Sequence, residues 1–212
     1  MKLPDFLYEK KLWKKGYKFI AGVDEVGRGS LAGPVVAGAV VFDRNLIKIK
    51  HNGVIINDSK KLSAKQRERA TAWIKENALS WAVGEASVSK INKLGIVKAT
   101  QIAFRMAIKK AQLKQKIDYL LIDAFYAPYV VGLRKKKQMP IVKGDTKSIS
   151  IEAASIIAKV YRDKLMTELS KQPKHKKYEW NKNKGYGTLD HRNVIKKYGA
   201  TNLHRKDFVK HN

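Results

Sequence analysis

The sequence predicts an α/β fold in which a mixed sheet is flanked by helices. Short apolar runs rich in β-branched residues alternate with longer segments whose apolar residues recur every three or four positions, and this alternation is typical of strands connected by helices. Hydrophobic residues make up 44% of the chain, which is enough for a substantial core and argues against disorder.

Four apolar runs have the character of strands. The run at residues 35–42 has no charged residue, and the run at residues 119–123 is apolar until its last position, so both are expected to be deeply buried. Two shorter stretches could add further strands to the sheet. The predicted strands are residues 17–25, 35–42, 79–88 and 119–123, and the two shorter candidates are residues 46–56 and 141–142.

Three segments have the spacing of amphipathic helices. Ser63 is a plausible N-cap for a charged helix over residues 64–77. A second helix is expected from Leu94, and a third over residues 150–170. The apolar face of the third helix is predicted to contain Ala154, Ile157, Ala158, Tyr161 and Leu165.

The last part of the chain, residues 171–212, is distinctly basic. It contains 12 Lys and Arg residues, three acidic residues and four of the five histidines. A loop at residues 182–188 leads into a short helix that Thr188 caps and Gly199 ends. The sequence therefore predicts a basic helical segment folded against the main body, so that residues 1–212 form a single domain and residues 171–212 contact the substrate.

The composition excludes several classes of protein. The chain lacks cysteine, which excludes disulfide scaffolds, zinc–thiolate sites and cysteine nucleophiles. No apolar stretch approaches the roughly 18 residues of a membrane span, and no signal peptide is evident, so a cytoplasmic protein is expected. With 45 Lys and Arg residues and 18 acidic ones, the formal net charge is +27, which points to nucleic acid as the partner. A lysine-rich surface without such a partner is the alternative that charge alone leaves open.

Carboxylates stand at or just beyond the ends of three apolar runs. Asp24 and Glu25 follow the apolar residues 19–23 at the end of the first predicted strand, Asp123 ends the run at 119–123, and Asp145 follows residues 140–144. Burying an ionised carboxylate costs several kcal/mol unless it is paired or binds a metal. Any one of these acids could simply pair with a lysine or cap a turn. Several acids at one sheet edge instead indicate an Mg²⁺ or Mn²⁺ site of the kind used in two-metal phosphoryl transfer.

A glycine-rich loop follows the first pair of acids. Residues 22–30 partly match the spacing of a P-loop, but Arg28 and Gly29 replace the required lysine and hydroxyl residue, and Asp24 and Glu25 would repel a nucleotide phosphate. A nucleotide-triphosphatase is therefore disfavoured. The glycines beside Arg28 instead suit a close approach of backbone N–H groups and a cation to one substrate phosphate.

Six sequence blocks in order along nearly the whole chain resemble prokaryotic ribonuclease HII. They are GVDEVGRGSLAGPVV at 22–36, NDSKKLS at 57–63, LID at 121–123, KGD at 143–145, AASIIAKVYRD at 153–163 and NKGYGT at 183–188. The resemblance implies an RNase H-like fold with a mixed five-stranded sheet. It also implies endonucleolytic hydrolysis of RNA in RNA–DNA hybrids and at ribonucleotides embedded in duplex DNA. The products would have 3′-hydroxyl and 5′-phosphate ends, as in ribonucleotide excision during DNA repair.

The resemblance also implies roles for individual residues. The metal-binding acids of the family fall on Asp24, Glu25, Asp123 and Asp145, with the nearby Glu152 as a possible substitute for Asp145. The family's phosphate-gripping motif falls on Gly27, Arg28 and Gly29, and its tyrosine that stacks on the deoxyribose after the ribonucleotide falls on Tyr186. Lys60 is a candidate contact to the nucleic-acid backbone. These residues are Asp24, Glu25, Gly27, Arg28, Gly29, Lys60, Asp123, Asp145, Glu152 and Tyr186.

The predicted mechanism uses metal ions without a histidine base. Mg²⁺ or Mn²⁺ held by the four acids would lower the pKa of a water that attacks the phosphate 5′ of a ribonucleotide, while His191 and His204 serve packing or backbone contacts. A monomer with no membrane association and no obligate protein partner is expected. Two alternatives remain open at this point: a non-catalytic basic nucleic-acid-binding protein, and another RNase H-like nuclease with a different substrate.

Overall fold

A computed structural model describes residues 3–48, 56 and 59–210. Five strands form one sheet in the spatial order third, second, first, fourth, fifth along the chain. The strands are β1 Ile20–Val26, β2 Val35–Phe42, β3 Ala78–Ala86, β4 Tyr119–Asp123 and β5 Gln138–Ile141. This arrangement confirms the predicted α/β fold with a mixed five-stranded sheet.

Helices surround this sheet and form most of the basic C-terminal segment. Within the described part of the chain, none of them is long and apolar enough to cross a lipid bilayer. The helices are α1 Leu7–Lys14, α2 Ala64–Asn77, α3 Val88–Gln112, α4 Ile149–Lys171, α5 Pro173–Lys176, α6 Trp180–Asn183, α7 Leu189–Tyr198 and α8 Lys206–Lys210.

Strand directions bring three carboxyl ends to one edge of the sheet. β1 pairs antiparallel with β2 and parallel with β4, and β4 pairs parallel with β5. Val23 lies opposite Ile122 in the parallel pair, so the next residues, Asp24 and Asp123, lie side by side near the carboxyl ends of β1 and β4. The chain after β5 begins at the same edge, which is where open α/β sheets bind their ligands.

The two faces of the sheet are covered by different helices. α3 packs on one face through buried alanines and Phe104, whereas α2 and α4 cover the other face. α4 approaches β1 and β2 closely because both strands have a glycine beneath it. A Cβ on Gly22 would lie 2.0 Å from the Ser150 carbonyl carbon, and a Cβ on Gly38 would lie 2.1 Å from the Ala154 oxygen. These glycines bring the start of α4 to the strand end that contains Asp24.

The C-terminal segment packs through its own aromatic cluster. Trp180 and Tyr178 are buried against Ala32 and Met166, and their rings are stacked with centroids 5.5 Å apart. The Gly185 carbonyl accepts hydrogen bonds from the N–H groups of Leu31 and Ala32. The segment therefore lies directly against the loop between β1 and β2.

Several element boundaries confirm the sequence prediction. Ser63 caps α2 by accepting from the Gln66 N–H, with the reciprocal bond of a capping box. Thr188 caps α7, and Gly199 with φ 76° follows its last residue. β2 has the predicted bounds.

Other boundaries were predicted wrongly. The third strand ends at Ala86, because Ser87 caps α3, which begins at Val88 rather than Leu94. Gly95 interrupts α3 with φ 78° and conceals its first turns from periodicity analysis. β5 covers residues 138–141 rather than 141–142. Tyr161 is exposed, and the buried face of α4 continues through Arg162 and Met166.

The two stretches around residue 50 that carried sequence predictions are only partly described. Residues 44–48 form a 3₁₀-helix rather than the start of a strand, and residues 49–55 of the candidate strand lie outside the described residues. The first two residues of the motif at 57–63 also lie outside them.

Candidate active site

The four predicted acids lie together at the carboxyl edge of the sheet. Asp24, Glu25, Asp123 and Asp145 line one cleft of about 560 Å³. Cationic and aromatic side chains complete its lining. These are Lys60, Arg67, Lys159 and Tyr186. A deep acidic floor surrounded by cations can hold a metal ion beneath a phosphate backbone.

Asp24 lies deepest in this cleft, with 5% of its surface exposed. Its Oδ1 atom accepts the Glu25 N–H at 2.7 Å, and the nearby Ser155 hydroxyl on α4 acts to lower its pKa. Burial raises the pKa of Asp24 well above its usual range, and the charges of Glu25 and Asp123 raise it further. The protein thus keeps Asp24 in a position where an ionised carboxylate is costly.

Glu25 pairs with Arg28 across the turn that follows β1. The Arg28 Nη1 atom donates to Glu25 Oε1 at 3.2 Å. The other oxygen, Oε2, is buried and has no hydrogen-bond partner among the described residues. Burial raises the pKa of Glu25, and the Arg28 charge partly offsets this effect. A buried carboxylate oxygen without a donor is a ready ligand for a cation.

Asp123 and Asp145 are brought together by a tight turn after β5. Lys143 adopts a left-handed conformation with φ 56°, which turns the chain back so that the Gly144 N–H donates to Asp123 Oδ1 at 2.7 Å. Burial raises the pKa of Asp123, and the charge of Asp145 adds to the rise. Asp145 Oδ2 lies 3.7 Å from the Lys60 Nζ atom.

Glu152 does not share this cleft. It lies in the first turn of α4, fully buried, and it is absent from the cleft lining that includes Asp145. Of these two acids, only Asp145 lines the cleft with Asp24, Glu25 and Asp123.

The donor set suits a hard divalent cation. Four carboxylates without sulfur or imidazole are the ligands that Mg²⁺ and Mn²⁺ prefer, and the orphaned Glu25 Oε2 atom adds a structural reason for a cation. Among the described residues, no three acidic or histidine side chains already converge to ligand distance. Arg28 and the Gly144 N–H hold two of the carboxylates in protein hydrogen bonds, so a bound ion would compete with these donors.

Two buried arginines, which the sequence analysis missed, shape the loop around Gly27, Arg28 and Gly29. Arg205 is fully buried and donates to the carbonyls of Arg28 and Gly27 at 2.7 Å each, and to Gly33 at 2.9 and 3.0 Å. Its burial lowers its pKa to about 9, so it remains charged at neutral pH. In a chain with 45 Lys and Arg residues, an arginine is expected at the surface. The only local signal against this is the apolar Leu203 two positions before Arg205.

Arg162 of α4 connects the loop between β1 and β2 to the loop that contains Tyr186. Its guanidinium donates to the carbonyls of Pro34, Ala32 and Lys184 at 2.8 to 3.0 Å. A Cβ on Gly27, whose φ is 87°, would lie 2.1 Å from Arg162 Nε. The first glycine of the motif is therefore required for packing as well as for backbone conformation.

Arg205 and Arg162, together called the arginine clamp, also orient the N–H groups of the loop at residues 27–29. The carbonyls of Gly27 and Arg28 point inward to Arg205, and because a trans peptide directs its N–H opposite to its C=O, the N–H groups of Arg28 and Gly29 point away from it. Neither N–H has a partner among the described residues. Two outward-pointing N–H groups of this kind have the geometry that nest-type anion sites use.

Tyr186 is half-buried at the rim of the cleft and its loop is fixed from behind. Its ring lies 5.6 Å from Lys159 Nζ and 5.4 Å from the Arg162 guanidinium carbon. The His191 Nδ1–H donates to the Tyr186 carbonyl at 2.9 Å. His191 Nε2 accepts from Trp180 Nε1 at 3.1 Å and lies 3.2 Å from His204 Nε2. His191 and His204 thus pack and hold the backbone, as predicted.

This histidine pair should make stability depend on pH. Burial, together with the charges of the neighbouring histidines, lowers the pKa of His204 from 6.5 to about 4. Its Nδ1 atom accepts the Thr201 N–H, so folding requires the neutral ring. The unfolded chain binds a proton first as the pH falls, and stability is lost from about pH 6.5 downward to about pH 4.

The pH dependence is checked by thermal melting of the wild type and His204→Gln across this range. We expect the variant to be less stable at pH 7.5 but to lose less stability on acidification. Because both proteins have the same buried carboxylates, their difference isolates His204. Parallel curves for the two proteins would contradict the prediction.

Comparison with known proteins identifies the family. Residues 21–212 match the family model described as Ribonuclease HII. A Ribonuclease HII of Caldanaerobacter subterraneus subsp. tengcongensis is 46% identical over 95% of this chain and 78% of its own length.

Solved structures agree with this assignment at the level of the fold. The ribonuclease H2 crystal structure from Pyrococcus horikoshii superposes with a TM-score of 0.71 at 24% identity, over 91% of this chain and 96% of that chain. Bst-RNase HIII in complex with Mn²⁺ superposes with a TM-score of 0.70 at 23% identity, over 92% and 68%. The family decides against both alternatives left open by the sequence. The chain belongs to the ribonuclease HII family and is a ribonuclease H endonuclease that acts on RNA–DNA hybrids.

Proposed function

We propose that this endonuclease requires Mg²⁺ or Mn²⁺ and cuts duplex DNA on the 5′ side of an embedded ribonucleotide as well as the RNA of hybrids. The observation that carries the proposal is the meeting of four carboxylates, Gly27 of the glycine loop and a half-buried tyrosine around one cleft. The products would have 3′-hydroxyl and 5′-phosphate ends. We further propose that residues 171–212 contact the substrate as part of one domain.

Each group has a distinct task in this proposal. Asp24, Glu25, Asp123 and Asp145 would hold the cation, which when bound supplies a lowered water pKa and neutralises charge on the leaving oxygen. The N–H groups of Arg28 and Gly29 would fix one phosphate relative to these acids. The complex of a structural neighbour with Mn²⁺ supports the metal requirement.

Tyr186 would test the sugar next to the cleavage site. Its ring is held by Lys159, Arg162 and the His191 hydrogen bond to its backbone, so it can act as a rigid stacking surface. A 2′-hydroxyl distinguishes RNA from DNA at one position. A fixed ring that stacks on the deoxyribose after the ribonucleotide would recognise the nucleotide that lacks this hydroxyl.

The proposed function is tested with a labelled DNA duplex that contains one ribonucleotide. We expect incision 5′ of the ribonucleotide with Mg²⁺ or Mn²⁺ and none with a chelator. An all-DNA duplex is the control and should stay intact. Cleavage of an RNA–DNA hybrid without incision at the embedded ribonucleotide would contradict the proposed substrate range, and cleavage in chelator would contradict the metal requirement.

Replacement of Tyr186 distinguishes stacking of its ring on the substrate from a purely structural role. Tyr186→Ala should reduce incision at a single ribonucleotide by about ten- to a hundredfold, the usual size of a lost stacking contact, and should affect continuous hybrids less because these offer many registers. Tyr186→Phe retains the ring and is the matched control. Rates on both substrates are measured together, and an equal loss on both would show a structural role.

A further inference from the structure

The loop between β4 and β5 exposes aromatic side chains beside the candidate active site. Tyr129 is 91% exposed and Val131 is 85% exposed, while Phe125 and Tyr126 are exposed by nearly half. Clustered exposed apolar side chains of this kind often mark binding surfaces.

This loop is firmly held despite its exposure. The buried Gln138 side chain accepts the Ala127 N–H at 2.9 Å and donates to the carbonyls of Ala127 at 2.8 Å and Leu133 at 2.6 Å. Ala127 and Leu133 are themselves buried in the core beneath α3. The rings are therefore presented by a fixed backbone, which lowers the entropy that binding would cost.

The backbone at Tyr129 is unusual for an exposed residue. Its φ is 59°, a left-handed conformation that costs a non-glycine residue of order 1 kcal/mol. A ring that is 91% exposed gains little from packing in return. Strain without compensation from the fold indicates a function for the ring's position.

Cations accompany these rings at every point. Lys135 Nζ lies 4.9 Å from the Tyr126 ring centroid, and the Arg105 guanidinium lies 6.0 Å from that of Tyr129. Arg134, Lys135 and Lys136 are all exposed. Tyr126, Tyr129, Arg134 and Lys135 line a groove of about 720 Å³, and Lys136 is the next residue along the chain. The combination of rings and positive charge matches a sugar–phosphate strand.

Phe125, which directly precedes the groove residue Tyr126, connects this loop to the glycine loop at Arg28. Phe125 follows the acid Asp123 by two residues, and its ring lies 4.6 Å from the Arg28 guanidinium carbon. One nucleic-acid strand could therefore pass from the anion loop at Arg28 onto the loop between β4 and β5.

We propose that residues 125–136 form a second contact for the substrate duplex, to one side of the cleavage site. Arg134, Lys135 and Lys136 bind phosphates there, and Tyr126 and Tyr129 pack against the sugars of the same strand. This inference rests on the proposed function for its substrate, and it assigns to the loop the binding of a flank rather than cleavage.

The test replaces the three cations together, as Arg134→Ser, Lys135→Ser and Lys136→Ser. The matched control replaces Lys14, Lys15 and Lys18 with serine, since these exposed lysines lie at the opposite end of β1. Binding of a fluorescent hybrid duplex is measured by anisotropy across a salt series. We expect about tenfold weaker binding and a salt slope smaller by about two for the loop variant only.

Trimmed duplexes show where the loop binds. Shortening the duplex on one side of the ribonucleotide should remove the difference between the loop variant and the wild type, and shortening it on the other side should preserve it. Tyr129→Ala should weaken binding of the long duplex without changing the salt slope, because the ring has no charge. In cleavage assays KM should rise while kcat stays unchanged.

Unchanged affinity and slope in the loop variant would overturn the proposal. Loss of self-association in sedimentation, with duplex binding intact, would assign the groove to a second copy of the chain and would overturn it equally. Because binding is read without cleavage, failure of the wild type to cut at a ribonucleotide would count against the proposed function and not against the loop.

Discussion

Asp24→Asn is expected to lower the rate of hybrid cleavage by about a thousandfold or more while sparing substrate binding. Charge stabilisation by a bound cation contributes several kcal/mol to such reactions, and each ~1.4 kcal/mol corresponds to a factor of ten in rate. Asparagine keeps the shape of Asp24 and can keep the Ser155 contact, but it provides a weaker ligand.

The same substitution should stabilise the protein at neutral pH. The pKa of Asp24 is raised by burial and by the charges of Glu25 and Asp123, so its ionised form disfavours folding. For a carboxyl with a raised pKa, stability is present at low pH and is lost as the pH rises through the folded-state pKa. We therefore expect Asp24→Asn to melt at a higher temperature than the wild type at pH 7, with no advantage at acidic pH.

These two effects together separate a catalytic role from a structural one. Single-turnover cleavage, duplex anisotropy and melting temperature are measured on one preparation. Glu76→Gln makes the same carboxylate-to-amide change at an exposed position of α2 and should behave like the wild type. Lower activity with lower stability would indicate damage to the fold, and retained activity would exclude Asp24 from the proposed metal site.

The acidic site could be predicted from the sequence because the acids stand where apolar, strand-like runs end. An apolar run such as residues 119–122 followed by Asp123 is visible without knowledge of the fold. Parallel strands then bring such ends to one edge by geometry alone. Helix ends at Ser63 and Thr188 were equally predictable, since a cap depends on residues only three positions away.

Contacts between distant residues could not be predicted in this way. Gln138 reads as a polar loop residue, yet it holds the loop beneath Tyr129 through three hydrogen bonds. The close packing that requires Gly22 depends on Ser150, more than a hundred positions away. Local patterns contain no information about such partners.

The hydrogen bonds of the buried Arg205 are the largest contribution to the stability of the site that could not be predicted from the sequence. Arg205→Gln should remove most of them. The carbonyls of Gly27, Arg28 and Gly33 would lose their donors, and each buried carbonyl left without a donor costs about 1–3 kcal/mol. Glutamine can replace at most part of this set. We expect a loss of about 3–5 kcal/mol in the free energy of unfolding, measured by urea denaturation.

The clamp should also affect substrate binding in the fraction that remains folded. Without Arg205, the peptides after Gly27 and Arg28 can rotate, and their N–H groups no longer converge on one phosphate. We expect KM for the hybrid to rise more than kcat falls when cleavage is measured at a temperature where the variant is folded. Arg44→Gln removes the same charge from an exposed position after β2, outside the segment proposed to contact the substrate, and should change neither quantity.

Arg205→Lys distinguishes the charge of this residue from its hydrogen bonds. Lysine keeps the positive charge, but its compact ammonium group cannot reproduce the planar fork that reaches three carbonyls at once. Partial recovery of stability without recovery of KM would assign the loop's shape to the fork itself. If the lysine variant matched the wild type in both, charge alone would suffice and the orientation of the Arg28 and Gly29 N–H groups would not depend on Arg205.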